Sequence, residues 1–466
     1  MADRQSDLVI LGGGSGGYAA ALRAAELGRS VVLIEKDKVG GTCLHRGCIP
    51  TKALLHAGEI ADQARESETF GVNATFHGID MAGVHRYKDG VVGKNFKGLT
   101  GLIKSRGVDI VAGEGRLTGP RTVSVGDDRY TGTNVILATG SYSRSLPGLE
   151  IDGERVITSE HALVLDRVPR SAIVLGGGVI GVEFASAWTS FGTDVTIVEA
   201  LPHLVPLEDE ASSKLVERAF RRRKIGFRVG ARFAKVEHTG GGVRVTLEDG
   251  QSLEAEILLV AVGRGPVSQG LGYEEQGIRV ERGFVITDEF LRTGVDGVYA
   301  VGDLISIAGA PHLQLAHVGF AEGILAAEHM SGLPVVPIDY AGVPRITYCA
   351  PEVASVGLTE AEAAERFGAD AIKTVTYDLS GNGRSAILNA RGAVKLVAAG
   401  HGEGPVVGVH IVGERVGELI AEAQLIVNWE ALPGEVAQLI HPHPTQSEAI
   451  GEAHLLLAGK PLHVHD

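Results

Sequence analysis

The chemistry available to this 466-residue chain begins with sulfur. Only three cysteines occur, and two of them stand five positions apart in Gly40-Gly41-Thr42-Cys43-Leu44-His45-Arg46-Gly47-Cys48-Ile49-Pro50-Thr51-Lys52. In a regular α-helix that spacing leaves the Cα atoms about 8–9 Å apart, whereas a disulfide needs roughly 7 Å or less. Pairing therefore demands a broken turn: Gly47 supplies the backbone freedom, and Pro50 interrupts the helical ladder. Three arrangements compete for Cys43 and Cys48: two buried free thiols, a metal site, or a redox pair. A zinc site would want the shorter CxxC spacing and a second pair of ligands, and neither is present, so no metal is expected. The odd cysteine number does not suggest a secretory scaffold, and in a reducing compartment a close pair is more often catalytic than structural. Cys349 has no partner nearby in sequence and reads as a packed strand residue.

A thiol substrate is a weak nucleophile near neutral pH until a base removes its proton. Near the C-terminus stands His441-Pro442-His443-Pro444-Thr445-Gln446-Ser447-Glu448. A carboxylate that orients an imidazole and stabilises its positive form makes such a base, and His443 with Glu448 supplies both groups. Most of the 17 histidines must be surface or structural residues, and His454, His463 and His465 are assigned to that class.

The elements that position these groups come from an internal repeat. Leu8-Val9-Ile10-Leu11 reads as a buried strand, followed by Gly12, Gly14 and Gly17, a helical stretch to Gly28, and a strand Val31 to Ile34 ending at Glu35. Ala172 to Leu175 starts the same order again: Gly176, Gly178 and Gly181, a helical stretch to Gly192, and a strand Val195 to Val198 ending at Glu199. First glycine to acidic residue is 23 positions in both copies, Gly12 to Glu35 and Gly176 to Glu199. In such a unit the first glycine makes the tight turn, the second lets backbone approach a pyrophosphate, and the third lets helix and strand pack closely. The helix N-terminus faces the phosphates, and the acidic side chain accepts from a ribose. One such pattern is weak evidence; two complete copies imply two dinucleotides. Glu199 selects NAD over NADP, because a carboxylate repels a 2′-phosphate. The run Arg221-Arg222-Arg223-Lys224 is read as the basic end of a helical stretch beginning near Glu208, not as a phosphate clamp.

The totals agree. With 65 glycines and 5% aromatics the composition suits an α/β protein with many tight turns, and the length suits about three domains. A formal net charge of −14 argues against nucleic acid and anionic membranes. No apolar signal core precedes the first strand and no apolar run is long enough to span a bilayer, so the chain reads as soluble and cytoplasmic.

The segment GGTCLHRGCIPTK resembles the active-site segment of the pyridine nucleotide–disulfide oxidoreductases. Thr139-Gly140-Ser141, Val298-Tyr299-Ala300-Val301-Gly302-Asp303, Leu315-Ala316-His317, Pro351-Glu352-Val353-Ala354 and HPHPTQSE extend the resemblance over essentially the whole chain. It implies an α/β fold with two Rossmann-like dinucleotide-binding domains and a C-terminal α+β dimerisation domain. The segments would be 1–147 (FAD, first part), 148–267 (NAD), 268–340 (FAD and central, second part) and 341–466 (dimerisation). FAD would sit on the first unit and NAD on the second, with Cys48 toward the flavin and Cys43 exchanging with substrate. Lys52 would lie by the flavin paired with Glu183, Asp303 would hold the ribityl chain, and Gly115, Gly140, Gly263 and Ala316 are further cofactor contacts. His443 would reach the disulfide of the other subunit of a homodimer. The stretch from about Val343 carries strands Gly392 to Ala398 and Pro405 to Val412 and a helical run Glu414 to Trp429.

Within the family, Glu199 opposes the NADPH-dependent reductases, Pro461 to Asp466 lacks the extra cysteine pair of mercuric reductases, and both redox cysteines are present. The substrate expected is dihydrolipoamide. No lipoyl module precedes Ser6, so the lipoyl group would come from a partner: an acyltransferase of a 2-oxo acid dehydrogenase complex or a glycine-cleavage carrier protein. Two other readings stand beside this one: a reductase of another small disulfide, and a redox sensor without turnover, to which a general base would be superfluous. The chain departs from the family pattern in three places. His45-Arg46 stands where Asn-Val is usual, Gly265 and Val267 alter the VGRxPN run, and the loop Leu304 to Leu313 is longer.

Overall fold

The computed structural model describes residues 3–309 and 312–464; His465 and part of the Leu304–Leu313 loop lie outside the described residues. Two compact units are present. The first comprises the chain up to Ala53, Asp80–Arg144 and Gly263–Ile338; the second comprises Leu54–Ile79, Ser145–Val262 and the chain from Asp339.

In the first unit, strand Asp3–Leu11 lies at the centre of a sheet, parallel to Val31–Glu35 on one side and Asp128–Leu137 on the other. Asp109–Ala112 extends the sheet beyond Val31–Glu35, and Val298–Ala300 joins Asp128–Leu137, both in parallel. Leu8, Val9, Ile10, Leu33, Ile34 and Ile136 have no accessible surface, which explains why these strands are continuous apolar runs instead of alternating ones: both faces are covered. The first strand is longer than its apolar core. Polar residues from Asp3 onward pair with Arg129 and its neighbours, so register with a long partner, not hydrophobicity, sets that end. Helix Ser15–Glu26 packs on helix Ala316–Met330 at glycines: a Cβ at Gly323 would lie 2.2 Å from the Gly16 carbonyl oxygen.

In the second unit, Ser171–Leu175 is flanked by Asp194–Val198 and Ile257–Val260, with Gly226–Arg228 and Val156–Ile157 at the edges, all parallel. An antiparallel trio, Phe233–Thr239, Gly242–Leu247 and Ser252–Ala255, accompanies this sheet. The C-terminal part forms an antiparallel sheet in the order Arg345–Thr347, Glu352–Gly357, Val406–Gly413, Ala393–Ala398, Lys373–Asp378. Helices Ile420–Asn428 and Glu448–Leu457 pack their apolar faces on it through Ala423, Ile426, Ala449, Ile450 and Ala453. The two nucleotide-unit sheets and the C-terminal α+β part match the α/β class expected.

Two expectations need correction. The run Glu414–Trp429 is not one helix: Arg415 sits at φ +56°, a 3₁₀ turn spans Val416–Glu418, and the helix starts at Ile420. Cys349 is buried as expected but lies in the loop between Arg345–Thr347 and Glu352–Gly357, its thiol directed at the Pro351 carbonyl 3.1 Å away. The basic run does end a helix, Glu210–Arg222, yet Arg223 does more than face a dipole. It donates to Ser186 Oγ at 2.5 Å and Ser190 Oγ at 2.7 Å, and pairs with Asp62 at 3.2 Å.

His454 is a structural residue. It is fully buried and its Nδ1 donates to the Ile450 carbonyl at 2.7 Å. Burial holds its pKa below the ordinary histidine value, and burial does the same at His410. As pH falls through about 6.5 the unfolded chain binds protons that the folded chain refuses, so stability is lost on acidification. The urea midpoint is therefore expected to fall between pH 7 and pH 5, and to fall less in His454→Gln. An equal fall in both proteins would place the proton uptake elsewhere.

Candidate active site

The two glycine turns have nearly the same geometry. Gly12 and Gly176 have φ of +108° and +111°, and a Cβ on either would lie 2.3 Å from a carbonyl oxygen, of Ala138 and Ala261 respectively. A Cβ at Gly17 or Gly181 would lie 1.9 Å from the Gly12 or Gly176 carbonyl oxygen. Around Gly14 and Gly178, in contrast, nothing lies within 4 Å of such a Cβ. Those two residues cap helices Ser15–Glu26 and Val179–Phe191 with no side-chain hydrogen bond, so open space meets unspent N–H groups at each helix start. Such a cradle fits the pyrophosphate of a dinucleotide.

The acidic residues are held the same way in both units. Glu35 accepts the Gly13 N–H at 2.7 Å and the Asp37 N–H at 2.8 Å. Glu199 accepts the Gly177 N–H at 2.6 Å and the Leu201 N–H at 2.7 Å. Sequence reasoning foresaw a ribose acceptor but not this grip. Each carboxylate oxygen still has a lone pair for a hydroxyl donor, and the grip fixes where it points.

Helix Gly41–Arg46 ends at Gly47, whose φ of −145° and ψ of −112° leave the helical region, and a new helix, Cys48–Arg65, begins. The break brings the cysteines together: Cys43 and Cys48 form a disulfide with Cα atoms 4.6 Å apart. Pro50 falls in the first turn of the second helix, where its missing N–H costs nothing. Cys48 opens that helix, and the positive end of its dipole favours a thiolate there once the disulfide is broken. Lys52 lies one turn further on, in the first unit.

Asp303, in a 3₁₀ turn after strand Val298–Ala300, accepts from Ser141 Oγ at 2.5 Å. Arg264 was not singled out from sequence, yet its Nε donates to that same hydroxyl at 2.7 Å and its Nη2 to the Ser141 carbonyl at 2.8 Å. Glu322 was also missed: fully buried, it accepts the Gly302 N–H at 2.6 Å and pairs with His312 at 2.6 Å. A buried acid beside small residues in Gly319-Phe320-Ala321-Glu322-Gly323 was the available signal. Thr139 donates to the Val267 carbonyl at 2.5 Å, and the Gly140 carbonyl accepts the Val267 N–H at 2.9 Å. The departure at Val267 thus leaves a backbone interaction intact. Gly263 takes φ +103°, Ala316 opens helix Ala316–Met330, and Gly115 is buried where a Cβ would meet Leu11 at 2.6 Å. Glu183, in the second unit, is buried and accepts the Tyr348 N–H at 2.9 Å.

In the second unit His443 Nδ1 lies 2.8 Å from Glu448 Oε1, and Glu448 Oε2 accepts the Thr445 N–H at 2.7 Å. Burial alone would raise the Glu448 pKa, but the Thr445 N–H and then His443 outweigh it and hold the carboxyl below its ordinary value. An ionised carboxylate on Nδ1 fixes the proton there and leaves Nε2 as the basic nitrogen. The His443 side chain is 78% exposed, so in the chain taken alone the base faces outward.

A model of the pyridine nucleotide-disulphide oxidoreductases matches residues 6–323, and a model of that family's dimerisation domain matches 343–454. The chain belongs to this family. It is an oxidoreductase whose cofactors are FAD and NAD. It is 40% identical to a dihydrolipoyl dehydrogenase of Bacillus subtilis, covering 98% of this chain and 99% of that one. It is 37% identical to the mitochondrial dihydrolipoyl dehydrogenase of Pisum sativum, over 99% of this chain and 93% of that one. The solved structure of LpdA from Mycobacterium tuberculosis superposes with a TM-score of 0.88 at 31% identity, over 98% of this chain and 100% of that one. Among the described residues no helix is long and apolar enough to cross a membrane.

The third glycines give a direct test of the two cradles. Gly17→Ala is expected to yield protein without the yellow flavin absorbance. Gly181→Ala should keep that absorbance but lose NADH binding, measured by fluorescence titration. Retention of both ligands in both variants would refute the cradle assignment.

Proposed function

We propose that this chain is a dihydrolipoyl dehydrogenase: it oxidises protein-bound dihydrolipoamide to lipoamide and reduces NAD to NADH. The observation that carries the reading is the Cys43–Cys48 disulfide, in a chain 37–40% identical to dihydrolipoyl dehydrogenases over nearly its whole length. The dimerisation-domain match supports a homodimer in which His443 serves the partner subunit's disulfide. The lipoyl group would arrive on an acyltransferase or a glycine-cleavage carrier protein, in the cytoplasm. We retain the four segments 1–147, 148–267, 268–340 and 341–466 as the functional division of the chain.

The chain's own groups act in sequence. His443 Nε2 takes the proton of one substrate thiol, and Glu448 stabilises the imidazolium that results. The substrate thiolate attacks Cys43 Sγ; the Cys43–Cys48 bond breaks and Cys48 leaves as a thiolate at its helix N-terminus. The second substrate thiol attacks the substrate sulfur of the mixed disulfide and passes its proton to the departing Cys43 sulfur, closing lipoamide and releasing Cys43 as a thiol. The glycine cradles of Gly12, Gly14 and Gly17 and of Gly176, Gly178 and Gly181 would hold FAD and NAD, with Glu35 and Glu199 on their riboses. The FAD held there would supply the two-electron chemistry that links the cysteine dithiol to NAD. Lys52 and Glu183 are proposed contacts toward the flavin, and Thr139, Ser141 and Asp303 toward its ribityl chain.

The test is the initial rate of NAD reduction by dihydrolipoamide, with NADP as the parallel acceptor. NAD-specific turnover is expected. Cys48→Ser should abolish it with FAD still bound, and His443→Gln should lower kcat by about 10²–10⁴. A yellow protein inert toward dihydrolipoamide would sink the substrate assignment.

A further inference from the structure

His45 and Arg46, between the redox cysteines, replace the family's usual Asn-Val, and the chemistry above makes no use of them. Both make contacts with residues outside the cysteine segment. His45 Nε2 lies 2.9 Å from the Val39 carbonyl, and its ring meets Phe96 edge-on with centroids 5.1 Å apart. Arg46 Nη2 donates to Asp37 Oδ2 at 2.5 Å, and the Asp37 N–H is itself held by Glu35. Glu35, Asp37, Val39 and Phe96, with Thr100 and Lys104, line an open pocket of about 220 Å³. With the ribose-binding Glu35 at its rim, this cavity lies at the adenine end of the first dinucleotide.

The other end of the same short helix is fastened to the phosphate loop. The Gly40 N–H donates to the Gly13 carbonyl at 2.8 Å, and a Cβ at Gly41 would lie 2.7 Å from Gly14 Cα. The segment that carries Cys43 is therefore tied to the phosphate cradle at its start and to the adenine cavity at its end. The disulfide ties it, in addition, to the helix that begins at Cys48.

We propose that His45 and Arg46 couple adenine occupancy of this cavity to the redox state of Cys43–Cys48. With the disulfide closed, helix Gly41–Arg46 is restrained on both sides and holds Val39, Phe96 and Asp37 in the wall that contacts adenine. Opening the disulfide removes one restraint, and the wall holds the adenosine end less tightly. Linkage makes the effect reciprocal: a filled cavity favours the oxidised pair. The inference rests on FAD occupying the first nucleotide unit.

The test follows FAD release from the holoenzyme by its fluorescence, with and without a water-soluble phosphine. The phosphine gives two electrons to the disulfide and takes oxygen from water, and two protons complete two thiols. Reduction is expected to speed release about fivefold in the wild type, the lower end of ordinary coupling. In the double variant His45→Asn, Arg46→Val the acceleration should shrink to less than about twofold. Equal acceleration in both proteins, or none in the wild type, overturns the proposal. If the double variant is isolated without flavin, Arg46→Gln alone is read the same way and should show an intermediate acceleration. The readout is flavin release, not turnover, so failure of the dihydrolipoamide assay would sink the substrate and leave the coupling standing. A wild type that binds no FAD would sink both.

Discussion

Everything in the active site depends on how closely a helix can approach the turn that feeds it. At Gly17 and Gly181 the space a Cβ would need is already taken by a carbonyl oxygen 1.9 Å away. No rotamer change relieves that clash, because both sides are backbone. With glycine in place, the helix starts directly at the strand end, and the N–H of the turn's middle residue is free for the next strand's carboxylate. Gly13 gives it to Glu35, and Gly177 gives it to Glu199. One steric condition thus sets both the open helix start and the carboxylate beside it, the two features the proposed dinucleotide sites use.

That condition explains why much of the site was legible in the sequence. Glycines at fixed spacing, a strand before them and an acid 23 residues on are consequences of local geometry, and local geometry writes itself into residue types. The His443–Glu448 pair was legible for a similar reason, since five residues of chain bring both groups to one helix start. What escaped is where tertiary context decides. Arg415 adopts φ +56°, which its residue type does not announce, and with Gly417 close behind it the first residues of the run leave the helix. Arg264 reaches Ser141 across 123 residues through the pairing of two short strands, and Glu322 reaches the Gly302 N–H from helix Ala316–Met330; no periodicity specifies either contact. In the antiparallel trio Phe233–Ala255 only the middle strand alternates cleanly, with Val243, Val245 and Leu247 buried, and its short flanking strands are largely exposed.

Electrostatics separates the two acids beside the glycine turns from the one beside His443. Glu35 and Glu199 each accept two backbone N–H groups, which fixes the direction of both carboxylates. Glu448 accepts one backbone N–H with one oxygen and gives the other to His443. The backbone bond keeps Glu448 ionised and the histidine bond spends that charge on orienting a base. The same residue type serves two purposes because the number of backbone donors around it differs.

The five-residue spacing of the cysteines follows from the same economy of backbone. A CxxC pair needs only one turn of a single helix. Here the helix stops at Gly47 and restarts at Cys48, so each sulfur belongs to a different helix: Cys43 to the one anchored on the phosphate loop, Cys48 to the start of an 18-residue helix. The two thiols released by reduction are consequently unequal before any cofactor or substrate arrives. Cys48 has the positive end of a long dipole and is the better thiolate, suited to leave and to hold charge. Cys43, in the middle of a short helix, lacks that stabilisation and is suited to exchange with a substrate sulfur. An asymmetric disulfide is what a relay between a thiol and a nucleotide requires, and a broken helix is how this chain builds one.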